Sequence, residues 1–405
     1  MKTLISHWTL VLGLLAALGL NACGGGDTAA DTSASLPLET STSKTTNEKP
    51  AQMPTYSTGT SEQPFHTGTL QPEAAAGTMK WNPGHYVTFS SDTTDDEIDA
   101  RLDEIRKLPF KGIVVRAFWK QLEPRKDAYN FKRIDRHLNL AAANGKRFFL
   151  LLTTRNFRTG VVAPDYLRAP LFDGGVYQYK SSKDTLGENI ALWDDNVRNR
   201  LALLIKALAR RYDGNPYFEG IILNETAFGQ PVSEVSDENR AAYYSNLLQI
   251  DSLARAAFTR TVVIQFINFP PQRTGALVDN MLNKGVGFGS PDVFLADEDH
   301  EKYVYPYTDL VQRRIPIGMQ VESDSYIHRC AGCAFDPPPV KDLYTFARDR
   351  LHSNYIFWQY VQEPWYDAWT KVKALFRSAG FPSDPAGGLA TACPRRYAAC
   401  VSNGH

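Results

Sequence analysis

The chain reads as an α/β protein, a single (β/α)8 TIM barrel, and three observations predict this. From residue 81 onward, short β-branched or aromatic runs alternate with stretches of helical period; eight such repeats occupy roughly 280 residues, close to the usual size of that barrel. The strand runs are apolar throughout, which suits parallel strands covered by helices. No glycine-rich phosphate turn follows the first strand, which counts against a doubly wound nucleotide-binding sheet.

The elements follow in order. His85 to Ser90 is the first strand, and Thr94 caps a helix whose Ile98, Leu102 and Ile105 share one face. Gly112 to Trp119 is the second strand, followed by a helix from Ile134 to Ala143 that stops at Asn144-Gly145. Arg147 to Thr154 is the third. The long segment from Arg155 to Asp194, rich in Pro, Gly and Tyr, reads as a functional loop, and Asn196 to Tyr212 is its helix. Phe218-Glu219-Gly220-Ile221-Ile222-Leu223 is a buried fourth strand that ends at Asn224-Glu225. Thr261 to Phe269, Asp292 to Ala296, Ile315 to Val321 and Tyr355 to Tyr360 are predicted as strands five to eight. Helices are expected over 240–258, 275–283, 307–313, 340–351 and 367–378.

Composition narrows the partners. Lys and Arg total 44 against 44 Asp and Glu, so nothing points to nucleic acid. The N-terminus has its own logic. Lys2 and the short apolar run Leu4 to Leu20 end at Leu20-Asn21-Ala22-Cys23, too short and wrongly flanked for a membrane span. The Leu-x-Ala-Cys ending resembles a bacterial lipoprotein signal. The resemblance implies residues 1–22 as signal peptide, a lipid on Cys23, and a mature chain hung from a membrane, with Gly24 leaning towards the outer membrane. Residues 23–80 are poor in large apolar groups and read as a flexible linker. The barrel is assigned to 81–380 and a loop-like tail to 381–405. In an exported chain Cys330, Cys333, Cys393 and Cys400 default to disulfides, with three pairings open and a zinc site as the rival reading.

Barrel strands all end at one mouth, so the polar residues at those ends are the candidate site. They are Arg116 and Trp119, Asn224 and Glu225, Gln265 and Asn268, His300, Glu322, and Trp358. Glu225 and Glu322 close strands four and seven, nearly opposite each other. Two carboxylates flanking a sugar-sized gap are the machinery of glycoside cleavage, and a separation of about 5–5.5 Å would give retention. Asn-Glu ending strand four and Glu ending strand seven, with Phe118-Trp119-Lys120-Gln121-Leu122-Glu123-Pro124 and Tyr129-Asn130-Phe131 after strand two, resemble the clan A retaining glycoside hydrolases.

That resemblance implies roles. Glu225 would be acid and then base, Asn224 a binder of the hydroxyl beside the anomeric centre, and Glu322 the nucleophile. Arg116 would keep Glu322 ionised, and Trp358 would floor the reacting sugar, with Trp119 and His300 as further substrate contacts. Two departures stand beside it. Thr153, Thr154, Arg155 and Asn156 occupy the place of a strand-three His. The strand-six partner is open between His300 and Tyr303, while Asp297, Glu298 and Asp299 compete with Glu322 for the nucleophile role but read chiefly as a solvated loop of helix-capping acids. Arg155, Arg158 and Arg168 hint at an acidic sugar. The expectation is a monomeric retaining glycosidase acting on a β-linked glycan without metal or organic cofactor. The alternative is a cell-surface barrel that binds glycan or protein without cleaving it.

Overall fold

The structure, a computed structural model, describes residues 77–180 and 185–402. The signal peptide, Cys23 and the linker up to residue 76 lie outside the described residues. Eight parallel strands close into a barrel: β1 (Gly84–Phe89), β2 (Phe110–Phe118), β3 (Arg147–Thr153), β4 (Phe218–Leu223), β5 (Val262–Phe266), β6 (Gly287–Ser290), β7 (Ile317–Val321) and β8 (Tyr355–Gln359). Each pairs with its neighbours in sequence, and β8 closes onto β1. Helices connect the strands and cover the outside.

The barrel interior is filled by rings. Phe149 meets Tyr86, Tyr355 and Phe357 edge to face at 5.0–5.2 Å, and Tyr355 and Phe357 stack on each other. Space for them comes from glycines on the neighbouring strands. A Cβ on Gly220 would lie 1.9 Å from the Phe149 ring, one on Gly289 2.6 Å from Phe266, and one on Gly318 2.7 Å from Phe357. Below the rings the floor is closed. Trp81 packs edge-on against Tyr355, and the fully buried Glu219 accepts from the Asn82 amide, the Asn82 side chain and the Tyr355 hydroxyl. Met79–Lys80 pair with Cys400–Val401, so these last linker residues belong to the floor together with the tail. The cysteines pair as Cys330–Cys333 and Cys393–Cys400, with Cα atoms 5.3 and 5.7 Å apart.

Two elements differ from the sequence expectation. Strand six is Gly287–Ser290, not Asp292–Ala296. Its Gly-Phe-Gly-Ser sequence hides the strand, because the inward positions are glycines that yield their space to neighbouring side chains. Val293 and Phe294 are buried, but their amides donate to the Ser325 and Tyr305 hydroxyls rather than to a strand. The long segment after β3 contains structure of its own, an antiparallel sheet ordered Arg155–Asn156, Leu186–Ile190, Val176–Lys180 and Gln230–Pro231.

The ring-and-glycine packing makes Gly220→Ala costly: the barrel should lose about 3 kcal/mol in chemical denaturation, because Phe149 has no vacant direction to move. A second outcome concerns Asp251, on the helix Asp237–Ala257. It is fully buried, neither oxygen has a hydrogen-bond partner, and burial raises its carboxyl pKa well above the usual value. A carboxyl raised in the folded state costs stability as pH climbs above its unfolded value. Asp251→Asn should therefore stabilise by on the order of 1 kcal/mol at neutral pH and by almost nothing near pH 3, as read from melting curves at both pH values.

Candidate active site

Period-two alternation decides which side chains reach the mouth. On β2, Val114 lies in the inner ring cluster, so Arg116 points inward above it, while Ile113, Val115 and Trp119 join the outer core. On β8, Tyr355 and Phe357 face in, and Ile356 and Trp358 face the helices. Glu322 follows β7 directly and opens the short helix Ser323–Ile327.

Glu322 is about a quarter exposed at its side chain and forms an ion pair with Arg116. Gln320, two residues back on the same face, donates to it at 3.3 Å. Both contacts fall on Oε1. Burial raises the Glu322 carboxyl; the Arg116 charge and hydrogen bond work against this, and the charge of Glu225 adds to it. Glu225, on the opposite side, forms an ion pair with Arg155 through Oε1 and accepts from Asn268 Nδ2 at 2.5 Å through Oε2. Arg155 is buried, its guanidinium 4.2 Å above the Tyr179 ring. Asn224 is held through its carbonyl by Gln265. Its own Nδ2 is buried without a hydrogen-bond partner, and it borders a cavity of about 30 Å³ together with Thr154, Glu225, Tyr243 and Gln265.

Arg116, Asn224, Glu225 and Glu322 therefore gather at one end of the barrel. Gln265 and Asn268 join them through Asn224 and Glu225, whereas Trp358, Trp119 and His300 do not reach the mouth. Trp358 is fully buried outside the barrel, donates to His85 Nδ1 at 3.1 Å and packs against Phe376, so it cannot floor a sugar. Burial lowers the pKa of His85 to about 4, which keeps that ring neutral and able to accept. The exposed tryptophan on this loop is Trp365, in the hairpin after β8. Trp119 is equally buried. Its indole donates to Glu123 Oε2 at 2.9 Å, and Glu123 pairs with Arg200 on the helix Asp195–Tyr212. The Trp-to-Glu-Pro segment is thus a buried ionic lock between two helical layers. His300 is 1 % exposed and sits behind the mouth, its Nδ1 bonded to Asp297.

Sequence reasoning missed two groups. Arg155, taken for a loop arginine, is the partner of Glu225. Asp292, taken for the start of a strand, carries a carboxyl whose pKa is raised well above the usual value by burial and by the charges of Glu322 and Glu225. The three arginines that hinted at an acidic sugar, Arg155, Arg158 and Arg168, are paired with Glu225, Asp92 and Glu188. Asp297 caps the helix Glu298–Tyr303, as a capping acid should, while Glu298 and Asp299 are exposed. Among the described residues no group of His, Cys, Asp or Glu is arranged to hold a metal ion.

Neither a family model nor a curated protein sequence matches the chain. Solved structures are similar to it. The catalytic domain of a β-amylase from Paenibacillus polymyxa is 8 % identical with a TM-score of 0.45, over 69 % of this chain and 93 % of that one. A β-galactosidase from Bacillus circulans sp. alkalophilus is 12 % identical with a TM-score of 0.49, over 69 % of this chain and 50 % of that one. Endo-glycoceramidase II from Rhodococcus sp. is 12 % identical with a TM-score of 0.46, over 72 % and 77 %. The chain spans about half the length of that β-galactosidase.

Proposed function

We propose that the protein is a retaining glycoside hydrolase acting on a β-linked oligo- or polysaccharide, with Glu322 as nucleophile and Glu225 as acid and then base. One observation carries the reading. Two glutamates close strands four and seven at the same end of the barrel, near enough that the charge of one raises the proton affinity of the other. Glu322 suits the nucleophile because Arg116 and Gln320 both hold Oε1, which leaves Oε2 free to attack. In the first step Oε2 bonds to the anomeric carbon as the glycosidic C–O bond breaks, and the leaving oxygen takes a proton from Glu225. In the second, water attacks the same carbon, Glu225 takes the water's proton, and the Glu322 ester is released. The N-terminal sequence fits an exported enzyme tethered by a lipid on Cys23.

A second reading is a barrel that binds glycan without cleaving it. Its support is that Arg155 and Asn268 engage both oxygens of Glu225.

An activated 2-fluoro glycoside incubated with the protein should add its sugar mass to the peptide carrying Glu322, and Glu322→Gln should abolish both labelling and turnover. Glycan binding without turnover, unaffected by Glu225→Gln, would establish the binder instead. Arg116→Met removes the cation that opposes the raised pKa of Glu322, so a larger share of that carboxyl is protonated at neutral pH. The acid limb of kcat/KM should move to higher pH, and kcat should fall by about 100-fold.

A further inference from the structure

Behind the mouth lies a row of three groups that the double displacement does not use. Asp297 is an ionised anchor: it accepts from the His300 amide at 2.9 Å, the Ala331 amide at 2.8 Å and His300 Nδ1 at 2.7 Å. Burial raises its carboxyl, and the hydrogen bonds from His300 and Ala331 overcome this and bring its pKa down to about 2. An ionised Asp297 can only accept, so the ring hydrogen of a neutral His300 is assigned to Nδ1 and the Nε2 lone pair points the other way. Nε2 is buried, has no hydrogen-bond partner, and lies 4.0 Å from Asp292 Oδ2. The ring cannot turn away, because Phe269, Phe294 and Tyr305 surround it at 5.3–5.8 Å.

Asp292 itself faces acids. Glu322 and Asp324 act on it from the end of β7, Glu225 from the end of β4, and Asp297 from its own loop. Tyr305 touches only its backbone carbonyl. Arg116 and Arg155 are committed to the two glutamates. An ionised Asp292 would add a negative charge beside two glutamates whose arginines are already engaged.

We propose that Asp292 is an uncharged positioning acid of the site, its proton directed at His300 Nε2 and its other oxygen left as a neutral acceptor for a sugar hydroxyl beside Glu322. The kinetic part rests on the glycosidase reading; the protonation part does not. A neutral Asp292 leaves Arg116 as the nearest full charge controlling Glu322. Loss of the Asp292 proton at high pH would add a negative charge beside Glu322 and replace the neutral acid that the sugar hydroxyl meets with a carboxylate.

The test has two arms. In the first, carboxyl-13C-aspartate labelling identifies the Asp292 signal by its loss in Asp292→Asn, and the purified protein is titrated. The signal should show no midpoint near the free-aspartate value of about 3.9 and should titrate well above it. His300→Phe, which keeps a ring in the aromatic nest but removes the acceptor, should move that midpoint down. A wild-type midpoint near 3.9 overturns the proposal whether or not any substrate is found. In the second arm, Asp292→Ala should lower kcat about tenfold. Asp292→Asn, a permanent mimic of the neutral acid, should recover most of that loss and lack the alkaline limb contributed by Asp292. Equal losses in Ala and Asn with an unchanged pH profile would make Asp292 merely structural. A loss in Asn as large as that in Ala, with the acid limb moved, would mean that the charged form is required.

Discussion

The constraint on which the rest depends is the filling of the barrel. Parallel strands offer no hairpin to fix their register, so register must come from what packs inside. Here aromatic rings sit over glycines on adjacent strands, and a shift by one residue would drive a Cβ into a ring. The rings and the floor of Trp81, Glu219 and the disulfide-pinned tail occupy the lower barrel. Only the C-terminal ends remain for polar groups. The inward positions there are taken by Arg116, Gln320 and Glu322, and by the residues that follow β3 and β4. The site is therefore a consequence of packing below it: once the rings are placed, alternation assigns each polar side chain to the mouth or to the helices.

The second constraint is electrostatic. Carboxylates taken out of water need counter-charges. Glu322 has Arg116, Glu225 has Arg155, and the two pairs differ in a way that matters chemically. Arg116 and Gln320 share one oxygen of Glu322, whereas Arg155 and Asn268 divide the two oxygens of Glu225. A third acid, Asp292, has only a histidine behind it. At Glu322 burial opposes ionisation and the Arg116 guanidinium favours it, whereas at Asp292 burial and the neighbouring acids act in the same direction.

Most of the fold was legible because seven of the eight strands are apolar runs bounded by turns, and because helix stripes such as Val197, Leu201, Leu204 and Leu208 are long and periodic. Strand six was not legible, since its inward positions are glycines chosen by the neighbours' side chains, a tertiary reason invisible in local sequence. At the site, Glu225, Glu322 and Arg116 were found by position at strand ends. Trp358 and Trp119 were misplaced because a residue at a strand end still has two faces to choose from, and parity counted from Tyr355 or Val114 puts both tryptophans outside. Arg155 escaped because its role depends on the small antiparallel sheet that carries it. That sheet is formed with segments 30 and more residues away.

The geometry of Glu225 also says which contact must give way for it to meet a leaving group. Arg155 is fixed on every side: its strand pairs with Asn189 and Glu188, its guanidinium lies over Tyr179 and Phe157, and its side chain is nearly inaccessible. Asn268 sits on the loop after β5 and contributes a neutral amide, which loses less on exchange than an ion pair does. In the reaction proposed above, a glycosidic oxygen approaching Glu225 would displace Asn268 from Oε2 and leave Arg155 on Oε1. Arg155 would then set the plane of the carboxyl group, as Arg116 would that of Glu322. The two arginines would hold the acids at a fixed separation across the mouth while the free oxygen of each turns towards the scissile bond.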